Sequence, residues 1–140
     1  MPKPMVVDAS LVFRLILPGP HQAEVQSLVA GWLTQDYEMY APSLWVYELT
    51  SALCKTVQFG QVTAEEGART LALALRLGVR LVAPDDELVR RAFEWTLRLD
   101  RAAAYDSFYL AVAEGLQCEL WTADRRLHRA VDRRWVRLAG

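Results

Sequence analysis

The chain has 140 residues and a formal net charge of −1, with 53% hydrophobic and 24% charged residues. This length predicts one domain over residues 1–140, and the composition excludes a disordered protein and a strongly basic nucleic-acid module. No apolar run approaches the roughly 20 residues of a membrane-spanning helix, and the N-terminal segment lacks the apolar stretch of a signal peptide. We therefore expect a cytoplasmic protein that has no membrane partner.

Strand and helix patterns alternate along the sequence. In chain order, the predicted elements are a strand at 5–8, helices at 10–17 and 21–34, a strand at 38–41, helices at 42–59 and 63–78, a strand at 79–83, helices at 85–100 and 102–115, a strand at 119–122, a short helix from 124 and an edge strand at 135–138. This alternation predicts an α/β domain with a mainly parallel sheet and helices on both faces.

Local signals place several of the helix ends. Pro42 is expected in the first turn of its helix, because its missing N–H has no intrahelical partner there. The stretch Thr63-Ala64-Glu65-Glu66 is a capping box. The helices that follow are expected to end at Gly78 and Gly115, and Ala102 is expected to lie at the start of the second of them.

Four acidic residues lie where such folds build their sites. Asp8 ends the first strand, Asp124 follows the fourth, Glu48 lies about two turns into the helix after the second strand, and Asp106 lies in the first turns of its own helix. Ligands in open α/β sheets bind beyond the carboxyl ends of the strands, so the four acids are candidates for one site. Their convergence does not follow from the sequence.

Each acid also has a structural explanation. Asp8 and Asp124 can cap helices, Glu48 lies at the border of an apolar stripe and can be solvated, and Asp106 can pair with an arginine. If the acids do converge, two carboxylates about 5 Å apart repel by roughly 3 kcal/mol at an effective dielectric constant of 20. Oxygen ligands without histidine or thiolate favour Mg²⁺ or Mn²⁺, and such a site suits phosphate-ester chemistry.

Four stretches together carry a family resemblance. They are V-V-D-A-S-L, P-S-L-W-V-Y-E-L-T-S-A-L, A-Y-D-S-F-Y-L-A-V-A-E and L-W-T-A-D-R-R-L. In this order and spacing they resemble the PIN-domain ribonucleases and, within that family, the VapC-like toxins of toxin–antitoxin pairs. The resemblance covers essentially the whole chain. It implies a PIN-like three-layer α/β/α sandwich with a mainly parallel central sheet, and a metal-dependent endoribonuclease.

The resemblance also implies roles for individual residues and partners. Asp8, Glu48, Asp106 and Asp124 match the catalytic, metal-binding set, which would hold Mg²⁺ or Mn²⁺. Ser10 and Thr122 match hydroxyl positions that would orient a ligand or water. RNA is the implied substrate and an antitoxin protein the implied partner, and a homodimer is expected.

Two alternatives remain open on the same scaffold. One is a PIN-like module that binds RNA or protein without catalysis, and the other is an RNA-processing nuclease with no antitoxin. Dinucleotide-binding and P-loop proteins are excluded, because the chain has neither G-x-G-x-x-G nor G-x-x-x-x-G-K-[ST].

Other residues admit two interpretations. The aromatic residues Trp32, Trp45, Tyr47 and Trp95 either belong to the core or line an apolar groove for an antitoxin segment. The arginines of the last segment form either a phosphate-binding edge or a solvated surface, namely Arg125, Arg126, Arg129, Arg133, Arg134 and Arg137. The two cysteines, Cys54 and Cys118, are expected to be reduced, and the isolated His21 and His128 do not predict a zinc site.

Overall fold

A computed structural model describes residues 1–101 and 103–140, over which five strands and seven helices are defined. In chain order they are β1 (Lys3–Val7), α1 (Ala9–Ile16), α2 (Gln22–Thr34), β2 (Tyr37–Pro42), α3 (Leu44–Gln58), α4 (Ala64–Leu75), β3 (Arg80–Val82), α5 (Asp86–Arg98), α6 (Tyr105–Leu116), β4 (Leu120–Thr122), α7 (Arg125–Val131) and β5 (Val136–Leu138). None of these helices is both long and apolar enough to cross a membrane.

The five strands form one parallel sheet in the order β3-β2-β1-β4-β5. Helices α1, α2, α3 and α4 pack among themselves, while α5 packs against α6. Right-handed crossovers place these two groups on opposite faces of the sheet, which confirms the predicted α/β/α sandwich. Strands β2 and β3 are added on one side of β1, and β4 and β5 on the other, so the strand order reverses between β1 and β4. This is the switch point at which such sheets bind ligands.

The capping box predicted at the start of α4 is present. The Thr63 hydroxyl accepts a hydrogen bond from the Glu66 amide at 3.1 Å, and the Glu66 carboxylate accepts one from the Thr63 amide at 3.1 Å. Two backbone donors that the first turn would otherwise leave free are thereby satisfied.

Replacing Thr63 by Ala should lower the free energy of unfolding by about 1 kcal/mol, because the first turn of α4 loses its cap. Urea denaturation followed by circular dichroism measures this change. Thr34→Ala is a matched control at the C-terminal end of α2, where the hydroxyl only bonds back to the Gly31 carbonyl. Equal losses in the two variants would contradict a specific capping contribution.

The predicted starts of two helices were wrong. Pro42 lies at the end of β2 and not in α3, because sheet pairing continues beyond it through a bond from the Ser43 amide to the Val82 carbonyl at 3.1 Å. Helix α6 begins at Tyr105, so residues 103–104 precede it, while the predicted start at Ala102 lies outside the described residues.

The two glycines that were predicted to end helices, Gly78 and Gly115, do not lie at the observed helix ends. Helix α6 continues through Gly115 to Leu116, and Gln117 adopts the left-handed conformation with φ 55°. Helix α4 ends at Leu75, three residues before Gly78, whose φ of 80° favours glycine.

Most of the aromatic residues singled out in the sequence belong to the core. Trp32, Trp45 and Trp95 are buried, whereas Tyr47 on α3 is 71% exposed. Trp32 packs against Trp121 with ring centroids 5.3 Å apart. The predicted apolar groove built from these residues was therefore wrong for the three tryptophans, because their ring area is already covered within the monomer.

Candidate active site

Asp8 and Thr122 meet at the switch point, where β1 and β4 end side by side. Both residues are buried, with 6% and 0% exposure. The Thr122 hydroxyl donates to Oδ2 of Asp8. Oδ1 accepts from the Ser10 hydroxyl at 2.7 Å and from the Leu11 amide at 3.0 Å. Asp8 is thus both the predicted N-cap of α1 and a rigidly held carboxylate at the sheet edge.

The two hydroxyls are themselves fixed by the loop after β4. The Ser10 hydroxyl accepts from the Ala123 amide and the Thr122 hydroxyl accepts from the Asp124 amide, both at 3.0 Å. Since each hydroxyl has one proton, and that proton goes to Asp8, their first effect here is to orient the carboxylate. Their predicted role in orienting a ligand or water stays a prediction.

Glu48 reaches the same region from the second turn of α3. It is half-buried, and its Oε1 accepts a hydrogen bond of 2.6 Å from the phenol of Tyr109 on α6. The sequence carries no signal that Tyr109 would bond to Glu48.

Asp106 is the second residue of α6, and its Oδ2 accepts from Arg101 at 3.0 Å. The predicted alternative, an arginine partner, is therefore present. The side chain of Asp106 is 39% exposed. Since α6 begins three residues later than predicted, Asp106 lies in its first turn, where the helix dipole favours an acid.

Asp124 caps α7, as one of the two interpretations predicted. Its Oδ1 accepts from the amides of Arg126 at 2.9 Å and Leu127 at 3.1 Å. Its peptide nitrogen is bonded to Thr122, so this cap is linked directly to the network around Asp8.

The acids influence one another's ionisation. The pKa of Asp8 is raised to about 6, mainly by burial and also by the charge of Asp106, while hydrogen bonds from Thr122, Ser10 and the Leu11 amide act to lower it. Burial also raises the pKa of Glu48, where the Tyr109 hydrogen bond acts to lower it and the charges of Asp106 and Asp8 add to the rise. Their ionised forms are therefore destabilised together.

Asp106 extends this coupling to the fourth acid. Burial raises its pKa, the Arg101 guanidinium acts to lower it, and the charge of Asp124 raises it. Burial and the Glu48 carboxylate raise the pKa of Tyr109 above its usual range, so the phenol remains a neutral donor. A cation among these carboxylates would relieve the repulsion that they share.

The four acids share a region but do not form a closed cage. Over residues 1–101 and 103–140, no three histidine, cysteine, aspartate or glutamate side chains are grouped closely enough to hold a metal ion. Instead, each acid has its own donors. The donor chemistry nevertheless fits a hard cation, because every group is a carboxylate oxygen and the pKa values of three of the four are raised.

Some arginines of the last segment have structural roles. Arg137 pairs with Glu119 at 2.9 Å and lies over the ring of Trp121, and Arg133 lies over the ring of Trp95. Arg125 donates to the Gly140 carbonyl at 3.2 Å. The phosphate-binding interpretation of the remaining arginines stays a prediction. Both cysteines are free, as expected.

The fold and the site define a class: a parallel α/β/α domain with coupled carboxylates at the switch point of its sheet. The PIN domain family model matches residues 5–133. The chain is 33% identical over 123 residues to the VapC ribonuclease Mb0985 of Mycobacterium bovis, covering 88% of this chain and 87% of that protein. It is 28% identical over 124 residues to ribonuclease VapC3 of Pyrobaculum aerophilum, covering 88% and 91%. The chain belongs to the PIN domain family.

Solved structures share the fold. VapC20 of Mycobacterium tuberculosis, described as a sarcin-ricin loop cleaving toxin, superposes with a TM-score of 0.71 at 17% identity, covering 97% of this chain and 99% of that one. VapBC2 of Rickettsia felis, solved with a DNA fragment from its promoter, gives 0.71 at 13% identity, with 96% of each chain covered. PAE2754 of Pyrobaculum aerophilum gives 0.66 at 26% identity, covering 91% and 79%.

Proposed function

We propose that this protein is a metal-dependent endoribonuclease and the toxin of a VapC-type toxin–antitoxin pair. The observation that carries the activity is the set of coupled carboxylates Asp8, Glu48 and Asp106 at the switch point of the sheet. The 33% identity to a VapC ribonuclease over 88% of the chain supports the same conclusion. RNA is the substrate in this proposal.

Asp8, Glu48 and Asp106 would hold the principal Mg²⁺ or Mn²⁺, and Asp124 would assist with it or with a second ion. When bound, such an ion supplies Lewis-acid chemistry, which favours deprotonation of water and stabilises charge developing on the phosphodiester oxygens. The contribution of the chain itself is orientation. Ser10 and Thr122 hold Asp8 by both of its oxygens, so the carboxylate is fixed before any ligand arrives.

Water attack in line with the scissile bond would leave a 5′-phosphate and a 3′-hydroxyl. Arg101 lies beside Asp106, and its guanidinium can exchange that carboxylate for a substrate phosphate, because it donates charge-assisted hydrogen bonds to either anion. Its ion pair with Asp106 must weaken when a cation takes that oxygen.

An antitoxin would inhibit the enzyme at the same carboxylates. An antitoxin segment that presents Arg or Lys to these carboxylates would compete with the metal, and the exposed Tyr47 lies next to Glu48 on α3 as an accessible contact. We also propose a homodimer that acts in the cytoplasm. The VapBC structure from Rickettsia felis, which resembles this chain in fold, motivates the search for an antitoxin.

The test is incubation of purified protein with single-stranded and structured RNA in Mn²⁺, Mg²⁺ or EDTA. We expect cleavage with either ion, loss of cleavage in EDTA, and 5′-phosphate ends detected by a 5′-phosphate-dependent exonuclease. Equal cleavage in EDTA would contradict the metal dependence. Absence of growth arrest on expression would argue for an RNA-processing nuclease with no antitoxin.

A second function is favoured by one observation, the absence of a closed acidic cage over the described residues. It is a PIN-like module that binds RNA or protein without cutting. Protein that retains RNA in a filter-binding assay with Mn²⁺, yet leaves that RNA intact on a denaturing gel, would establish this alternative.

A further inference from the structure

Tyr109 connects the two helices that carry Glu48 and Asp106. It lies on α6 three residues after Asp106, hence on the same side of the helix, and it is 2% exposed. Its phenol donates a 2.6 Å hydrogen bond to Oε1 of Glu48, which lies 61 positions earlier on α3. Within residues 1–101 and 103–140, this is the only hydrogen bond that the phenol makes, and a buried phenol requires one.

Among the described residues, the Tyr109 phenol is the one hydrogen-bond donor to Glu48, and it is uncharged. Asp8 has three donors, and Asp106 has an arginine. No arginine or lysine pairs with Glu48 among the described residues, and its Oε2 has no hydrogen bond there. A glutamate side chain has three rotatable bonds, so the phenol is what restrains this carboxylate.

The chemistry of the donor is also informative. A phenol is neutral, so it orients a carboxylate without cancelling its charge, whereas an arginine at the same place would compete with a cation. Because the ring of Tyr109 is enclosed in the core, its oxygen is fixed in space and defines where Oε1 must lie. The second oxygen of Glu48 then remains available to a ligand.

We propose that Tyr109 is a positioning residue, whose hydroxyl holds Glu48 in the orientation in which its carboxylate contributes to the divalent-cation site. The inference rests on the proposed metal-dependent function and assigns a role to a residue outside the acidic set. Hydrogen-bond partners of metal ligands typically change metal affinity or activity by about 10–100-fold when they are removed.

The test is Mn²⁺ titration followed by electron paramagnetic resonance, on the wild type, Tyr109→Phe, Glu48→Gln and the double variant. Tyr109→Phe removes one oxygen and should weaken Mn²⁺ binding by about 10–100-fold, with a changed spectrum for the ion that remains bound. In the Glu48→Gln background the same substitution should change the affinity by less than about 2-fold, because Tyr109 acts through Glu48.

Tyr40→Phe is the matched control, since the Tyr40 phenol donates to Oε2 of Glu38 at 3.1 Å, a carboxylate outside the site. It should bind Mn²⁺ like the wild type. Wild-type affinity in Tyr109→Phe would overturn the proposal, and so would an equal loss in the Glu48→Gln background, which would indicate packing. If the wild type binds no Mn²⁺, the metal-dependent function fails, and this inference fails with it.

Should Tyr109→Phe fail to fold, Glu48→Asp provides the test from the other side of the bond. The shorter side chain keeps the carboxylate but withdraws it from the phenol. Wild-type Mn²⁺ affinity in Glu48→Asp, with an unfolding midpoint close to that of the wild type, would show that the bond to the phenol is not needed and would overturn the proposal.

Discussion

Asp8→Asn should abolish RNA cleavage while leaving the fold intact. Asp8 is the most buried of the four acids, and both of its oxygens are held by donors at the end of β1. Loss of one anionic ligand removes several kcal/mol of transition-state stabilisation, so kcat/KM should fall by about 1,000-fold or more. The amide has nearly the same shape as the carboxylate, and its one oxygen can still accept from the Ser10 hydroxyl and the Leu11 amide, while its NH₂ group faces Thr122 and donates where a carboxylate oxygen accepted.

The same substitution should stabilise the metal-free protein at neutral pH. The pKa of Asp8 is raised from 3.8 in the unfolded chain to about 6 in the fold. The folded state therefore prefers the protonated acid, and stability falls as the pH rises from about 4 to 6. Above pH 6 the full penalty of about 3 kcal/mol is present, as an upper limit, and the uncharged asparagine removes it.

Urea denaturation in EDTA at pH 8 and pH 4 measures the stability change, and an RNA cleavage assay in Mn²⁺ measures the activity. The gain in unfolding free energy should appear at pH 8 and nearly vanish at pH 4. Asp86→Asn, on the exposed first turn of α5, is the control and should alter neither quantity appreciably. Cleavage at the wild-type rate by Asp8→Asn would place the active site elsewhere.

A stabilising but inactivating substitution would identify Asp8 as a residue retained for function at a cost to the fold. The cost arises from burial, which is the largest cause of its raised pKa. A purely structural cap would show a stability change close to zero, since Asn caps a helix about as well as Asp. A gain in stability together with a loss of cleavage thus separates the two interpretations that the sequence left open for Asp8.

The order of the elements was predictable because it depends on short-range patterns. Strand β1, the capping box at Thr63 and the Asp124 cap all follow from a few neighbouring residues. The edge at which Asp8 and Asp124 lie was also predictable, because the carboxyl ends of parallel strands share one edge of the sheet. Alternation of strands with helices makes the sheet parallel, so the position of the site followed from the element order.

The contacts within the site were not predictable, because they join distant parts of the chain. The bond from Tyr109 to Glu48 spans 61 positions, and the bond from Thr122 to Asp8 spans 114. Each depends on the packing of α6 or β4 against its neighbours, for which a single sequence carries no signal. The exposure of Asp106 was not predictable either, because it depends on where α6 begins, and a helix start without a capping side chain has no clear sequence signal.

We expect the second large effect, on both stability and activity, from replacing Thr122. Its hydroxyl is fully buried and makes hydrogen bonds with two partners. It donates to Asp8 and accepts from the Asp124 amide. Thr122→Val keeps the shape of the side chain and removes the hydroxyl, so the buried carboxylate of Asp8 loses a donor and the partly buried amide of Asp124 loses its acceptor. Each such loss typically costs about 1–3 kcal/mol of stability.

The activity should change with a defined pH dependence. The Thr122 hydrogen bond is the largest influence that lowers the pKa of Asp8, so its removal should raise that pKa above about 6. Cleavage requires the ionised carboxylate, and the acidic limb of the kcat/KM profile should therefore move to higher pH. Near neutral pH we expect a loss of about 10–100-fold, and part of this loss should be recovered at pH 9.

Thr122→Ser separates the hydroxyl from the side-chain volume, since it keeps the donor and removes only a methyl group. Its pH profile should match that of the wild type, with a modest loss of stability from the small cavity. If Thr122→Val shifts the acidic limb and Thr122→Ser does not, the hydroxyl sets the ionisation of Asp8. An unshifted profile in Thr122→Val, or an equal shift in both variants, would show that Thr122 contributes by packing against β1, and the ionisation of Asp8 would then be governed by its burial alone.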